Sequence, residues 1–145
     1  MGKAKERLDN LAGRLCESIL PVRESYFAGK GRRIAICSLA SIDLLKEISG
    51  SREIMDRVII VARLLSENKG IDTMIQFVLE NPSLSHIILC GKEVKGHQAG
   101  QALLSMYKNG IDDAGRIIGA TGPYPFLKSS KRDVDRLGFR SRSLT

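Results

Sequence analysis

Tryptophan is absent from this 145-residue chain, and all aromatic residues together make up only 5% of it. That leaves no row of stacking rings of the kind that grips single-stranded nucleic acid. Cysteine is scarce too: Cys16, Cys37 and Cys90 form no C-x-x-C pair and are odd in number. This excludes a disulfide framework and a cysteine-rich zinc module. Cys37 and Cys90 lie inside apolar runs and read as buried, reduced thiols, which points to a reducing, cytoplasmic compartment. No apolar run approaches the ~20 residues that a membrane-spanning helix needs. The opening MGKAKERLDN has no apolar segment of the signal-peptide type. The chain therefore reads as soluble and cytoplasmic, without a membrane span.

Basic residues, in contrast, are in excess. The formal charge is +7, from 23 Lys and Arg against 16 Asp and Glu. Such a balance suggests a nucleic-acid or acidic-surface partner until it is divided along the chain. Residues 1–33 carry +4, residues 34–127 carry −1 and residues 128–145 carry +4. The excess belongs to the two ends, around an almost neutral apolar middle, and no nucleic-acid partner is expected for the domain itself.

The middle alternates short β-branched runs with helical periodicity. Residues 5–19 have Leu8, Leu11, Leu15 and Ile19 on one stripe and predict an amphipathic helix. Residues 27–31 read as a turn. Strands are predicted over 33–39 (RIAICSL), 57–63 (RVIIVAR), 86–90 (HIILC) and 116–120 (RIIGA). Between them lie helices over about 42–48, capped by Ser41, over about 71–81, and over 97–109, closed by Asn109-Gly110. The third run is continuously apolar, as a strand buried on both faces would be. Alternation of this kind gives an α/β fold: a Rossmann-like parallel sheet of about four or more strands with flanking helices. Three regions follow: an N-terminal helix and connection over 1–32, a Rossmann-like domain over 33–127, and a basic tail over 128–145. In such sheets ligands bind beyond the carboxyl ends of the strands, so the loops after 39, 63, 90 and 120 are the places to look.

The loop 91–96 has the spacing G-x-x-x-x-G between a strand and a helix, as a phosphate-binding loop does. The Lys and Ser/Thr that would hold triphosphate and magnesium are replaced by His97 and Gln98. Nucleoside triphosphatase chemistry is thereby excluded. A simpler nucleotide- or anion-binding module, using the glycines and the free N–H groups of the helix start, stays open as the alternative. The two histidines separate by topology. His86 enters its strand at the amino end and reads as a surface residue. His97 follows the carboxyl end, where a helix start favours the neutral ring with a free lone pair that a metal requires. One histidine without a Cys/His cluster cannot build a zinc site. It can supply one axial ligand to a macrocycle that brings four nitrogens of its own. His97 to Gly100 is H-x-x-G, the latter half of the D-x-H-x-x-G pattern of many corrinoid-binding domains, with Lys95 at the Asp position.

The segment IILCGKEVKGHQAGQ, residues 87–101, resembles the corrinoid-binding segment of the tetrahydromethanopterin S-methyltransferase A-subunit family of methanogenic archaea. RIIGATGPYPF, residues 116–126, is similar to that family's I-I-G-A-T-G-x-x-P-F block. CSLAS at 37–41 and ENKGI at 67–71 are similar to its first strand end and its E-N-x-G-I loop. The resemblance covers about residues 33–127. It implies a corrinoid (cobalamin) cofactor with a protein histidine beneath cobalt, and by position that axial ligand is His97. It implies a methyl carrier, the corrinoid-bearing member of a methyltransferase complex, which does not turn over alone. Cobalt(I) takes a methyl group from methyl-tetrahydromethanopterin through a partner methyltransferase subunit, then passes it to a thiol such as coenzyme M. The cofactor-binding residues that follow from it are Leu39 after the first strand and Glu67, Asn68 and Gly70 after the second. Gly91, Glu93, Val94, Gly96, His97, Gly100 and Gln101 follow the third, and Ala120, Thr121, Gly122 and Pro123 the fourth. With Lys95 in place of Asp, the basicity of His97 falls to another group, such as a backbone carbonyl. Members of the family's membrane complex carry a C-terminal transmembrane helix. Here the sequence closes in the basic FRSRSLT, which is expected of a homologue without that helix and leaves sodium coupling open.

Overall fold

The computed structural model describes residues 26–137 and 143–144. The helix predicted over 5–19, and Cys16 within it, lie outside the described residues. Strands β1 (Tyr26–Ala28), β2 (Ile34–Cys37), β3 (Val58–Ala62), β4 (His86–Leu89) and β5 (Ser143–Leu144) form one sheet in the order β1-β3-β2-β4-β5. β3, β2, β4 and β5 run parallel, and β1 pairs antiparallel to β3. Helices α1 (Ile42–Gly50), α2 (Arg52–Met55), α3 (Lys69–Glu80), α4 (Ala99–Asn109) and α5 (Lys131–Arg136) complete the α/β architecture.

The sheet divides the core in two. On one face Ile36, Val58 and Val61 pack with Leu45 and Ile48 of α1. On the other, Ala35, Cys37 and Ile87 meet Ile71, Ile75 and Val78 of α3 and Ala102, Leu103 and Met106 of α4. The α3 residues recur at i, i+4 and i+7, so one helical stripe is wholly buried. Val134 of α5 and Leu137 extend the same core. The first turn of α3 anchors that extension: the Asp72 carboxylate accepts the N–H groups of Lys128 and Ser129 and the Ser129 hydroxyl, at 2.9, 2.9 and 2.6 Å.

Four expectations are corrected. Residues 116–120 are not a strand of the sheet. They form one arm of a small hairpin with bridges Ile111↔Ile117 and Arg116↔Phe126, and Gly119, at φ +85, ends the extended run. The sheet edge beside β4 is taken by β5 instead. Of residues 27–31, read as a turn, Phe27 and Ala28 belong to β1, a three-residue edge strand too short to show a period. β4 is not buried on both faces: the α1 side covers β2 and β3 but leaves Ile88 38% exposed, and Cys90 is only half-buried. Finally, α4 begins at Ala99 rather than at 97, because His97 donates its N–H to the Val94 carbonyl in a separate turn.

From β2 the chain crosses to β3 on one side and later returns to β4 on the other. The switch in strand order thus falls between β2 and β4, where the loops 38–41 and 90–98 emerge.

Candidate functional site

Those two loops are stitched together. Ala40 N–H donates to the Lys92 carbonyl, and Lys92 N–H donates to Ser41 Oγ, both at 2.8 Å. Ser41 stands at the start of α1 but makes no side-chain cap there, since its hydroxyl serves the opposite loop. Gly91 sits at φ +88, and a Cβ at this position would lie 2.2 Å from the Ser38 carbonyl. Only glycine fits so close an approach in that conformation. Leu39 adopts φ +50, an uncommon conformation for a branched residue, and turns its buried side chain against Gly100.

His97 is the centre of the rim. Its Nδ1 lies 2.9 Å from Oε2 of Glu67, thirty residues away on the loop after β3. The Glu67 side chain is 1% exposed and the His97 ring 40%. Oε1 of the same carboxylate accepts the Tyr124 N–H at 3.0 Å. Burial by itself pushes the Glu67 carboxyl up. Hydrogen bonds from the Tyr124 N–H, from its own N–H and from the His97 ring outweigh that and hold it below the usual glutamate value. Glu67 is therefore ionised at neutral pH and can only accept. Nδ1 must carry a proton, and in the neutral ring the lone pair falls on Nε2, on a partly exposed side chain. A carboxylate, not a backbone carbonyl, orients this histidine.

The other candidates surround the pair. Gly122 lies against Glu67, where a Cβ would come within 2.9 Å of Oε1. Thr121 and Gly122 reach the rim although their segment is no sheet strand: Gln101 Oε1 accepts the Thr121 N–H, its Nε2 donates to the Gly119 carbonyl, both at 3.0 Å, and Thr121 Oγ1 donates to Gln98 Oε1. Ala120 is buried, its carbonyl accepting from Arg116 at 3.2 Å, and Pro123 is exposed. Above Gly96 the space is open, with nothing within 4 Å of a Cβ built there. Val94 closes the turn that presents His97. Asn68 caps α3 through Oδ1 on the Lys69 N–H at 2.6 Å, and Gly70 donates to Ser66 Oγ at 2.9 Å. These two have local structural roles.

Glu93 occupies the start of α4. Its carboxylate accepts the N–H groups of Gly100 and Gln101 at 2.8 and 3.2 Å. Two of the N–H donors that the nucleotide- or anion-binding alternative relies on are thus already taken by a side chain of the same loop. Among the described residues no three His, Cys, Asp or Glu side chains gather into a metal cage. Nor is any helix among them long and apolar enough to cross a membrane. Tyr124 and Gln98 were missed from sequence, and Glu67 was placed on the rim without its partner.

The profile of the tetrahydromethanopterin S-methyltransferase A-subunit family matches residues 25–140. The chain is 36% identical over 124 residues, 84% of its length, to the A-subunit of the "Putative methyltransferase Mtx" of Methanosarcina acetivorans. It is 45% identical over 75 residues, 51% of its length, to the tetrahydromethanopterin S-methyltransferase A-subunit of Methanopyrus kandleri. It spans 58% of the first of these relatives and 30% of the second.

Proposed function

The chain belongs to the tetrahydromethanopterin S-methyltransferase A-subunit family, and from that premise we propose that it is a corrinoid-binding methyl carrier in which His97 would be the residue that holds the cobalt. The observation that carries the proposal is the Glu67–His97 pair: one ring nitrogen fixed by a buried carboxylate, the other left with a lone pair at an open rim.

The donor set fits such a cofactor. A macrocycle needs one protein nitrogen, a flat approach and few competing ligands. Here a single imidazole stands between Gly96, with open space above it, and the Thr121–Gly122 turn. A bound corrinoid supplies a metal centre that accepts and gives up a methyl group. The chain's own residues do the rest. Glu67 holds the Nδ1 proton and the ring plane, as carboxylates behind metal-binding histidines do, and raises the donor strength of Nε2. Gln101 and Gln98 fix the hairpin turn that forms the opposite wall. The methyl donor would be methyl-tetrahydromethanopterin, served by a partner methyltransferase subunit, and the acceptor a thiol.

The test is reconstitution of the full chain with hydroxocobalamin, followed by gel filtration, visible spectra and EPR of the cobalt(II) form. Retained colour and a nitrogen splitting that vanishes in His97→Ala are the expected results. A chain that keeps no corrinoid through the column overturns the proposal.

A further inference from the structure

At the opposite end of the sheet, a shallow, open cavity of about 780 Å³ lies between the starts of β2 and β3 and the loop before β4. Arg32, Arg33, Ile34, Arg57 and Ser83 line it. None of them takes part in the rim site. Among the described residues, three arginines and a serine border it and no acidic residue does. Arg32 and Arg33 have no side-chain hydrogen bond or ion pair among the described residues. Among the described residues the side-chain partner of Arg57 is Glu53 at 3.4 Å, an exposed i,i+4 contact that water screens.

The arginines leave a fixed backbone. Gly29, Lys30 and Gly31 donate their N–H groups to the carbonyls of Ile59, Met55 and Val58, each at 2.9 Å. The Arg33 carbonyl accepts the N–H groups of Ser85 and His86 at 2.9 and 3.0 Å. The segment entering β2 is thus tied to the strands on both sides. Three arginines bordering one concavity make it favourable for an anion. Guanidinium groups offer planar forks of donors that match oxyanions bidentately. Three such forks exceed what one carboxylate can accept, whereas a phosphate presents three or four acceptor oxygens. The volume lies in the range of small-molecule sites. We propose that this cavity binds a small phosphate-bearing ligand, its phosphate held by Arg32, Arg33 and Arg57 with the Ser83 hydroxyl beside them. The proposal is independent of the corrinoid reading.

Calorimetry on the full chain at low salt, with inorganic phosphate, glycerol 3-phosphate and acetate as probes, decides it. The expected result is saturable one-to-one binding of a phosphate probe, tighter than acetate. Arg32→Ala and Arg33→Ala should each weaken it about tenfold, the scale of a lost charge-assisted hydrogen bond. Arg33→Lys should fall between, and His97→Ala should change nothing. All of these positions except His97 are exposed, and unaltered melting confirms that the variants fold. The ranking of inorganic phosphate against glycerol 3-phosphate tells a free ion from an organic phosphate, and either ranking supports the site. No saturable binding, equal affinity for acetate, or an equal loss in the remote control Lys128→Ala overturns it.

Discussion

The two histidines of this chain stand at opposite ends of the same strand. His86 opens β4 at the arginine-lined end of the sheet, exposed, its Nδ1 2.8 Å from the Ser85 hydroxyl. His97 follows β4 at the rim, its Nδ1 2.9 Å from the buried Glu67 carboxylate. The distances are nearly equal, yet the partners differ in kind. A hydroxyl can donate or accept, so it leaves the ring free to hold its proton on either nitrogen. An ionised carboxylate only accepts, so it commits the ring to one tautomer. The lesson is that a histidine becomes a defined donor through what stands behind it, not through its exposure or its place in a motif.

The most severe way to break the contrast is to break the rim. Gly91→Ala drives a Cβ toward the Ser38 carbonyl in a left-handed conformation and is expected to cost about 3 kcal/mol or more, read as a lowered melting midpoint. Glu67→Gln keeps the size and removes the charge. Corrinoid retention should fall by about 10- to 100-fold, the usual loss when a carboxylate behind a metal-binding histidine is removed. His86→Ala should leave retention unchanged. The pH response sharpens the same point. The Glu67 carboxyl is held low by folding, so its stabilising contribution is complete above the unfolded glutamate range near ~4.3 and is lost as pH falls through the folded value. Acid titration of stability in the cofactor-free chain should therefore be steeper for the wild type than for Glu67→Gln, and equal slopes would contradict a Glu67 carboxylate held ionised by its hydrogen bonds. The smallest effects are expected at the exposed end: His86→Ala should move stability by less than about 0.5 kcal/mol. A chemical contrast runs alongside. Burial pushes the Cys37 thiol up to about 11, so iodoacetamide at pH 8 should label the peptide containing Cys37 only after denaturant is added.

Local order explains which parts of this were legible in the sequence. α3 and α4 show themselves because their buried residues repeat at helical spacing over three turns. β3 and β4 do so because Val, Ile and Leu run together between turn residues. The segment from Arg116 misleads for the same reason. Its Ile117-Ile118 pair reads as a strand, but Ile117 alone is buried while Ile118 is 43% exposed, and the run turns back at Gly119. β1 has only Tyr26, Phe27 and Ala28, of which none is fully buried, so no pattern could mark it. The rim was legible through the topological rule and the family motifs, which brought His97, Glu67 and Gly122 to one end of the sheet. The bond between Glu67 and His97 was not. It joins two loops thirty residues apart, and the empty Asp position at Lys95 directs attention to the wrong loop. The charge at the far end was hidden too, because Arg32, Arg33 and Arg57 converge only once β2 and β3 lie side by side.

Asp72 holds the backbone of Lys128 and Ser129, and just beyond them Val134 and Leu137 fill the core above α3. For anyone wishing to transplant this site into another scaffold, the portable unit therefore has to extend at least to Leu137. A graft trimmed at the end of the hairpin would carry every rim residue and still leave an acidic side chain and an oily groove uncovered on the helix that begins two residues after Glu67.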